Sequence, residues 1–166
     1  MHRMRFVTCV FLLISLVLVA SSTAATTVVV PATASPVSGP SVSVVGGQLI
    51  QISAAGLWRL ASRFAHNGPD GTAGYNTWVS TYYVTTPGTG GSLIGRWGSD
   101  ASGSASFFIG SAKTLTVPGG ETLLHLGCND EPGAYVDNEG SVTATVEVPI
   151  VPVQEVTWGR IKALMR

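Results

Sequence analysis

The sequence predicts an all-β domain, an antiparallel sandwich or jelly roll, from its periodicity, its breaks and its composition. Several segments alternate apolar and polar residues. Gly- and Pro-rich breaks cut them into short strands. Of 166 residues only 11 % are charged, while 45 % are hydrophobic. Period-two alternation puts every second side chain on one face, so one face buries and the other meets solvent. So few charges exclude a coiled coil, a long solvated helix and a charge-rich disordered chain. Nine Lys and Arg balance nine Asp and Glu, so there is no basic field to attract nucleic acid.

Residues 1–25 read as a secretory signal peptide. Arg3 and Arg5 make a basic start, Phe6–Ala20 is apolar apart from Thr8, Cys9 and Ser15, and small residues follow. An uncleaved anchor is the alternative, but this apolar stretch reaches only ~22 Å as a helix, against a ~30 Å hydrocarbon core. The expectation is a secreted or cell-surface protein with no membrane span after cleavage. Its mature chain keeps a single thiol, Cys128, and so has no intrachain disulfide. A secreted domain without such staples needs another source of stability, and a bound metal is one candidate.

Residues 26–40 are Thr, Val, Ala, Ser and Pro without charge and read as an extended linker, with Val28–Val30 as a candidate edge strand. From Ser41 the strands begin. Ile50, Ile52 and Ala54 alternate with Gln51, Ser53 and Ala55. Ser92–Trp97, Ala105–Gly110 and Thr114–Val117 are short strands between Gly-rich breaks. Thr122, Leu124, Leu126 and Cys128 share a face, as do Val142, Ala144, Val146 and Val148. Residues 41–149 thus hold enough chain for two sheets around one core. Residues 150–166 read as a stiff Pro-containing linker and a short basic amphipathic tail, which either packs on the sandwich or serves as a sorting or docking tag.

Four of the nine acids fall between residues 130 and 139, and no Lys or Arg lies between Lys113 and Arg160. Crowded carboxylates repel and call for a counter-charge. Ca²⁺ meets the need, because it accepts carboxylates, amide oxygens and carbonyls together. Asp130, Asp137 and Asn138 supply such oxygens, and Pro132-Gly133 can turn the loop so that they converge. An EF-hand is excluded because its ligand spacing is missing. Zinc is excluded because the His and Cys residues lie far apart. An ordinary acidic hairpin loop remains the alternative on composition alone.

The stretch Asn129-Asp-x-Pro-Gly-x-Tyr-x-Asp-Asn-x-Gly-Ser141 resembles the calcium and sugar loop of the PA-IL-like family, calcium-dependent galactose-binding bacterial lectins with a jelly-roll sandwich. Gly47–Gly56, Gly68-Pro-Asp-Gly71 and Ser92–Gly98 resemble, in order, the family's early strand, second sugar loop and following strand. The resemblance covers residues 41–149 and implies a galactose-binding-domain-like jelly-roll sandwich. It also implies Ca²⁺ held by Asp130, Asp137 and Asn138 side chains, by the Ala134 carbonyl, and by a carbonyl near Leu60 or Ala61. Asp130, Asp137 and Asn138 would also meet a galactose-like glycan, whose vicinal hydroxyls complete the ion's shell. Position 137 is Asp where the family usually places Asn, which adds negative charge. In the second loop the family's sugar-contacting His falls on Gly68 or Asn67, so Asp70 and Asn67 would replace those contacts. Family members form oligomers, which implies a homo-oligomer here.

Trp97 and Trp58 are expected in the core, His125 on the solvent side of its strand, and Cys128 as a buried free thiol. Trp78, Tyr82 and Tyr83 are expected to pack rather than stack on sugar. No nucleophile-elbow, HExxH or Cys–His signature appears, so no enzyme is expected. The competing reading is a structural or adhesive surface sandwich without sugar binding.

Overall fold

A computed structural model describes residues 25–72, 75, 83–84, 89–98 and 105–149. The expected signal peptide up to residue 24, the C-terminal tail, Trp78 and Tyr82 lie outside these residues. The described residues form strands β1 (Ala25–Pro31), β2 (Ser41–Ser43), β3 (Leu49–Arg59), β4 (Leu93–Trp97), β5 (Phe107–Phe108), β6 (Ala112–Thr116), β7 (Leu123–Cys128) and β8 (Glu139–Glu147). One 3-10 turn spans Tyr135–Asp137.

The strands make two four-stranded antiparallel sheets, ordered β1-β8-β3-β6 and β2-β7-β4-β5. This interleaving is the order of an eight-stranded jelly roll, as the sequence predicts. The core lies between the sheets and follows the alternation. Ile50 and Ile52 from β3, Val142, Ala144 and Val146 from β8, and Leu124, Leu126 and Cys128 from β7 are all buried. Trp97 is buried and stacks on Phe107 at 5.1 Å between ring centroids. Burying this apolar area against water is the main drive for closing the two sheets.

One sequence expectation is corrected. Residues 26–40 are not a linker, because β1 pairs with β8 along its whole length, from Ala25 opposite Glu147 to Pro31 opposite Ser141. The chain after β1 then folds onto the second sheet. Ala32 and Ala34 are buried, and the Cys128 N–H donates to the Ala34 carbonyl at 2.8 Å. The candidate edge strand at Val28–Val30 lies inside β1, and consecutive Thr and Val hid its full length, because Val29 faces out and Val30 in although both are apolar. His125 alternates with buried Leu124 and Leu126 as expected and is half-buried, with Nε2 2.8 Å from the Gly98 carbonyl.

Candidate functional site

Two loops at one end of the sandwich form the walls of the site. The first leaves β3 at Arg59. Trp58 and Asn67 close it, each main-chain N–H donating to the other's carbonyl, at 3.0 and 2.8 Å. Trp58 anchors it from inside: the ring is fully buried and Nε1 donates to the Gly91 carbonyl at 2.6 Å. Asn67 adds its amide, donating to the carbonyls of Gly68 and Gly91 while Oδ1 accepts from Thr72. Outside, Arg59 forms an ion pair with Glu139 and so clips the first loop to the start of β8.

The second loop, residues 129–138, connects β7 to β8. Its root is Asn129, fully buried. The Asn129 Oδ1 accepts from the Val84 N–H at 3.1 Å, and Nδ2 donates to the carbonyls of Val84 and Thr89 at 2.9 and 3.2 Å. Pro132 and Gly133 then reverse the chain. Gly133 holds φ +92, and the Ala134 N–H donates to the Glu131 carbonyl at 3.0 Å. Proline followed by glycine at positive φ suits a type II turn. The Tyr135 hydroxyl donates back to the Cys128 carbonyl at 2.9 Å, so Tyr135 straps the loop to β7.

These anchors bring Leu60, Arg63, Phe64 and Tyr75 opposite Asp130, Glu131, Ala134 and Asp137 around a pocket of about 210 Å³. Four of the five expected ion ligands, Leu60, Asp130, Ala134 and Asp137, therefore share one pocket. The fifth, Asn138, donates from Nδ2 to Asp130 Oδ2 at 3.0 Å and to the Ala32 carbonyl at 3.0 Å. Its Oδ1 is buried with no hydrogen-bond partner.

The electrostatics are unbalanced. Asp130 is only 5 % exposed. Burial pushes its carboxyl above the ordinary value, and hydrogen bonds from Asn138 and the Glu131 N–H offset this in part, while Asp137 and Glu131 add to it. No ion pair to Asp130 forms among the described residues. Arg63 lies over the Phe64 ring, 4.8 Å from its centroid. Phe64 meets Tyr75 edge-on at 5.4 Å.

The donor set fits a hard cation. A buried carboxylate and an orphaned amide oxygen are both costly without a partner, and Ca²⁺ takes both kinds of oxygen. Among the described residues no three His, Cys, Asp or Glu side chains gather as a metal-ligand set.

The other two expected sugar contacts, Asn67 and Asp70, stand elsewhere. Neither Asn67 nor Asp70 lines the pocket. The Asn67 amide is used up in holding the first loop. Asp70 Oδ1 accepts from the Ser111 N–H at 2.7 Å and so pins the turn before β6. Cys128 is a buried free thiol. Sequence reasoning missed Asn129 as the root of the acidic loop, and Arg63, Phe64 and Tyr75 as its opposite wall. An Asn directly before the first acid was a signal for the former. The wall residues carry no local signature.

No family model matches the chain, and no curated protein matches it. Among solved structures, the chain is similar to the EclA N-terminal domain, described as a PllA-like lectin. The identity is 25 %, the TM-score is 0.50, and the alignment covers 72 % of this chain and 92 % of that one.

Proposed function

We propose that this protein is a secreted, Ca²⁺-dependent carbohydrate-binding domain of the PA-IL-like kind, with galactose-like glycans as ligands. The observation that carries the reading is the pocket where Leu60, Asp130, Ala134 and Asp137 meet beside the unpartnered Asn138 Oδ1. The lectin neighbour adds weight to it.

In this reading Asp130, Asp137 and Asn138 give side-chain oxygens, and Leu60 and Ala134 give carbonyls. Ca²⁺ bound there supplies a positive centre whose open positions take two vicinal sugar hydroxyls. Asp130, Asp137 and Asn138 also accept from or donate to those hydroxyls and so fix their stereochemistry. Asn129 and Tyr135 hold the loop in shape before ligand arrives, which lowers the ordering cost of binding. Phe64 and Tyr75 offer an apolar wall for one sugar face. With Asn67 and Asp70 committed to the scaffold, recognition falls to the acidic loop and this wall. The pocket is smaller than the ~300–1,000 Å³ of drug-sized ligand sites, which suits one terminal sugar residue.

Retention on immobilised galactose tests this. The protein should bind in millimolar Ca²⁺ and elute with EDTA or free galactose, and Asp130→Ala should pass through unretained. If neither galactose nor any glycan on an array retains the wild type in Ca²⁺, the sugar reading fails and a structural or adhesive sandwich takes its place.

A further inference from the structure

We propose that the pocket prefers acidic sugars to neutral ones, with Arg63 taking the carboxylate or sulfate group of a galactose-type sugar. This preference rests on the carbohydrate-binding reading and adds the class of sugar to it. The two walls of the pocket carry unequal charge. Asp130, Glu131 and Asp137 line it from the acidic loop, and the facing wall brings one cation, Arg63. A guanidinium near carboxylates readily pairs with one of them. Arg63 forms no ion pair among the described residues, whereas Arg59 is taken by Glu139.

Local structure holds Arg63 in place. The Phe64 N–H donates to the Ala61 carbonyl at 2.9 Å, which folds residues 61–64 into a turn. The guanidinium carbon lies over the Phe64 ring, 4.8 Å from its centroid. Phe64 packs against the core and meets Tyr75 edge-on, so the ring under Arg63 is itself fixed. Stacking occupies the flat side of a guanidinium and leaves its in-plane N–H groups for a planar acceptor. Arg63 is exposed, and its side chain makes no hydrogen bond among the described residues. A stacked side chain has already lost rotamer freedom, so a ligand that meets it costs less ordering.

The acidic loop sets the condition under which an acidic sugar is welcome. Without a cation its carboxylates repel any anion. With Ca²⁺ on Asp130 and Asp137 their two charges are offset, and the first wall then presents Arg63 as its charged group. A sugar held by two vicinal hydroxyls still offers its other ring substituents to the walls. An acidic substituent gains a charge-assisted, bidentate partner in Arg63, while a neutral hydroxyl gains an ordinary hydrogen bond. Asn67 and Asp70 are committed to the scaffold and do not compete for this role. Because Arg63 is exposed, the gain is that of a surface pair, about threefold in affinity.

Titrations of galactose, galacturonate and a galactose sulfate ester into the protein in millimolar Ca²⁺, followed by NMR shifts, test the preference. The better of the two acids should bind about threefold tighter than galactose, and which acid it is names the substituent. This ratio needs no variant to fold. It should shrink toward one in roughly 1 M salt, where the screening length falls to about 3 Å. In Arg63→Gln the ratio should fall to one or below, because the acids of the loop are then unopposed. Arg63→Lys keeps the charge and loses the fork, so its ratio should lie between. If neither acid binds tighter than galactose, the preference is contradicted while sugar binding stands. If the preference survives undiminished in Arg63→Gln, the ion and not Arg63 recognises the acid, and the assignment to Arg63 is overturned. If no sugar binds in Ca²⁺, the carbohydrate-binding reading itself fails and the preference falls with it.

Discussion

Asn129 and Asp130 are adjacent, both buried, and opposite in their needs. Asn129 is satisfied by three main-chain partners. Truncation to Ala strands those groups, so Asn129→Ala should cost about 3 kcal/mol in chemical denaturation. Asp130 is buried and forms no ion pair among the described residues, and that burial raises its pKa from 3.8. The folded state therefore keeps this proton at a pH where the unfolded chain has lost it. In EDTA, stability should fall as pH rises from about 4 through the raised value. Asp130→Asn should flatten that slope in thermal unfolding scans. With Ca²⁺ present the slope should reverse, because protonation competes with the ion. Cys128 points the same way: burial, with the Asp130 charge adding, pushes its thiol up. It should resist a thiol reagent at pH 8 in the folded protein and react once denatured.

The acidic loop works as an element only if its turn is tight. Gly133 sits at φ +92, where a β-carbon is strained. Gly133→Ala should cost about 1–2 kcal/mol and weaken Ca²⁺ binding by pulling Ala134 off its position, both readable by titration and melting. The turn was legible as Pro-Gly, and the cluster of acids as a demand for a counter-charge. The strands β3, β7 and β8 were legible because Ile50 and Ile52, Leu124 and Leu126, and Val142 and Ala144 each keep to one face. β1 was legible only as the edge strand Val28–Val30 and not in its full length, because Val29 and Val30 are equally apolar while only tertiary pairing decides which of them is buried. The first loop was illegible for a related reason. Arg63 and Phe64 reach the pocket through the Trp58–Asn67 closure and the Arg59–Glu139 pair, contacts made across the fold.

At the scale of the whole molecule, the two sheets hold two loops against each other, and the cation would bind both. Ligand that binds only the folded state adds stability by mass action. Ca²⁺ at a hundred times its dissociation constant should add about 2.7 kcal/mol, a rise in unfolding midpoint on the order of 10 °C. The most direct test of the account is calorimetric titration of Ca²⁺ into EDTA-stripped protein, with Asp130→Ala alongside. The account predicts one saturable site per chain, at roughly 10⁻⁴–10⁻³ M or tighter, absent from the variant while its fold persists. No heat and no thermal shift at millimolar Ca²⁺, or an equal response from Asp130→Ala, would contradict it.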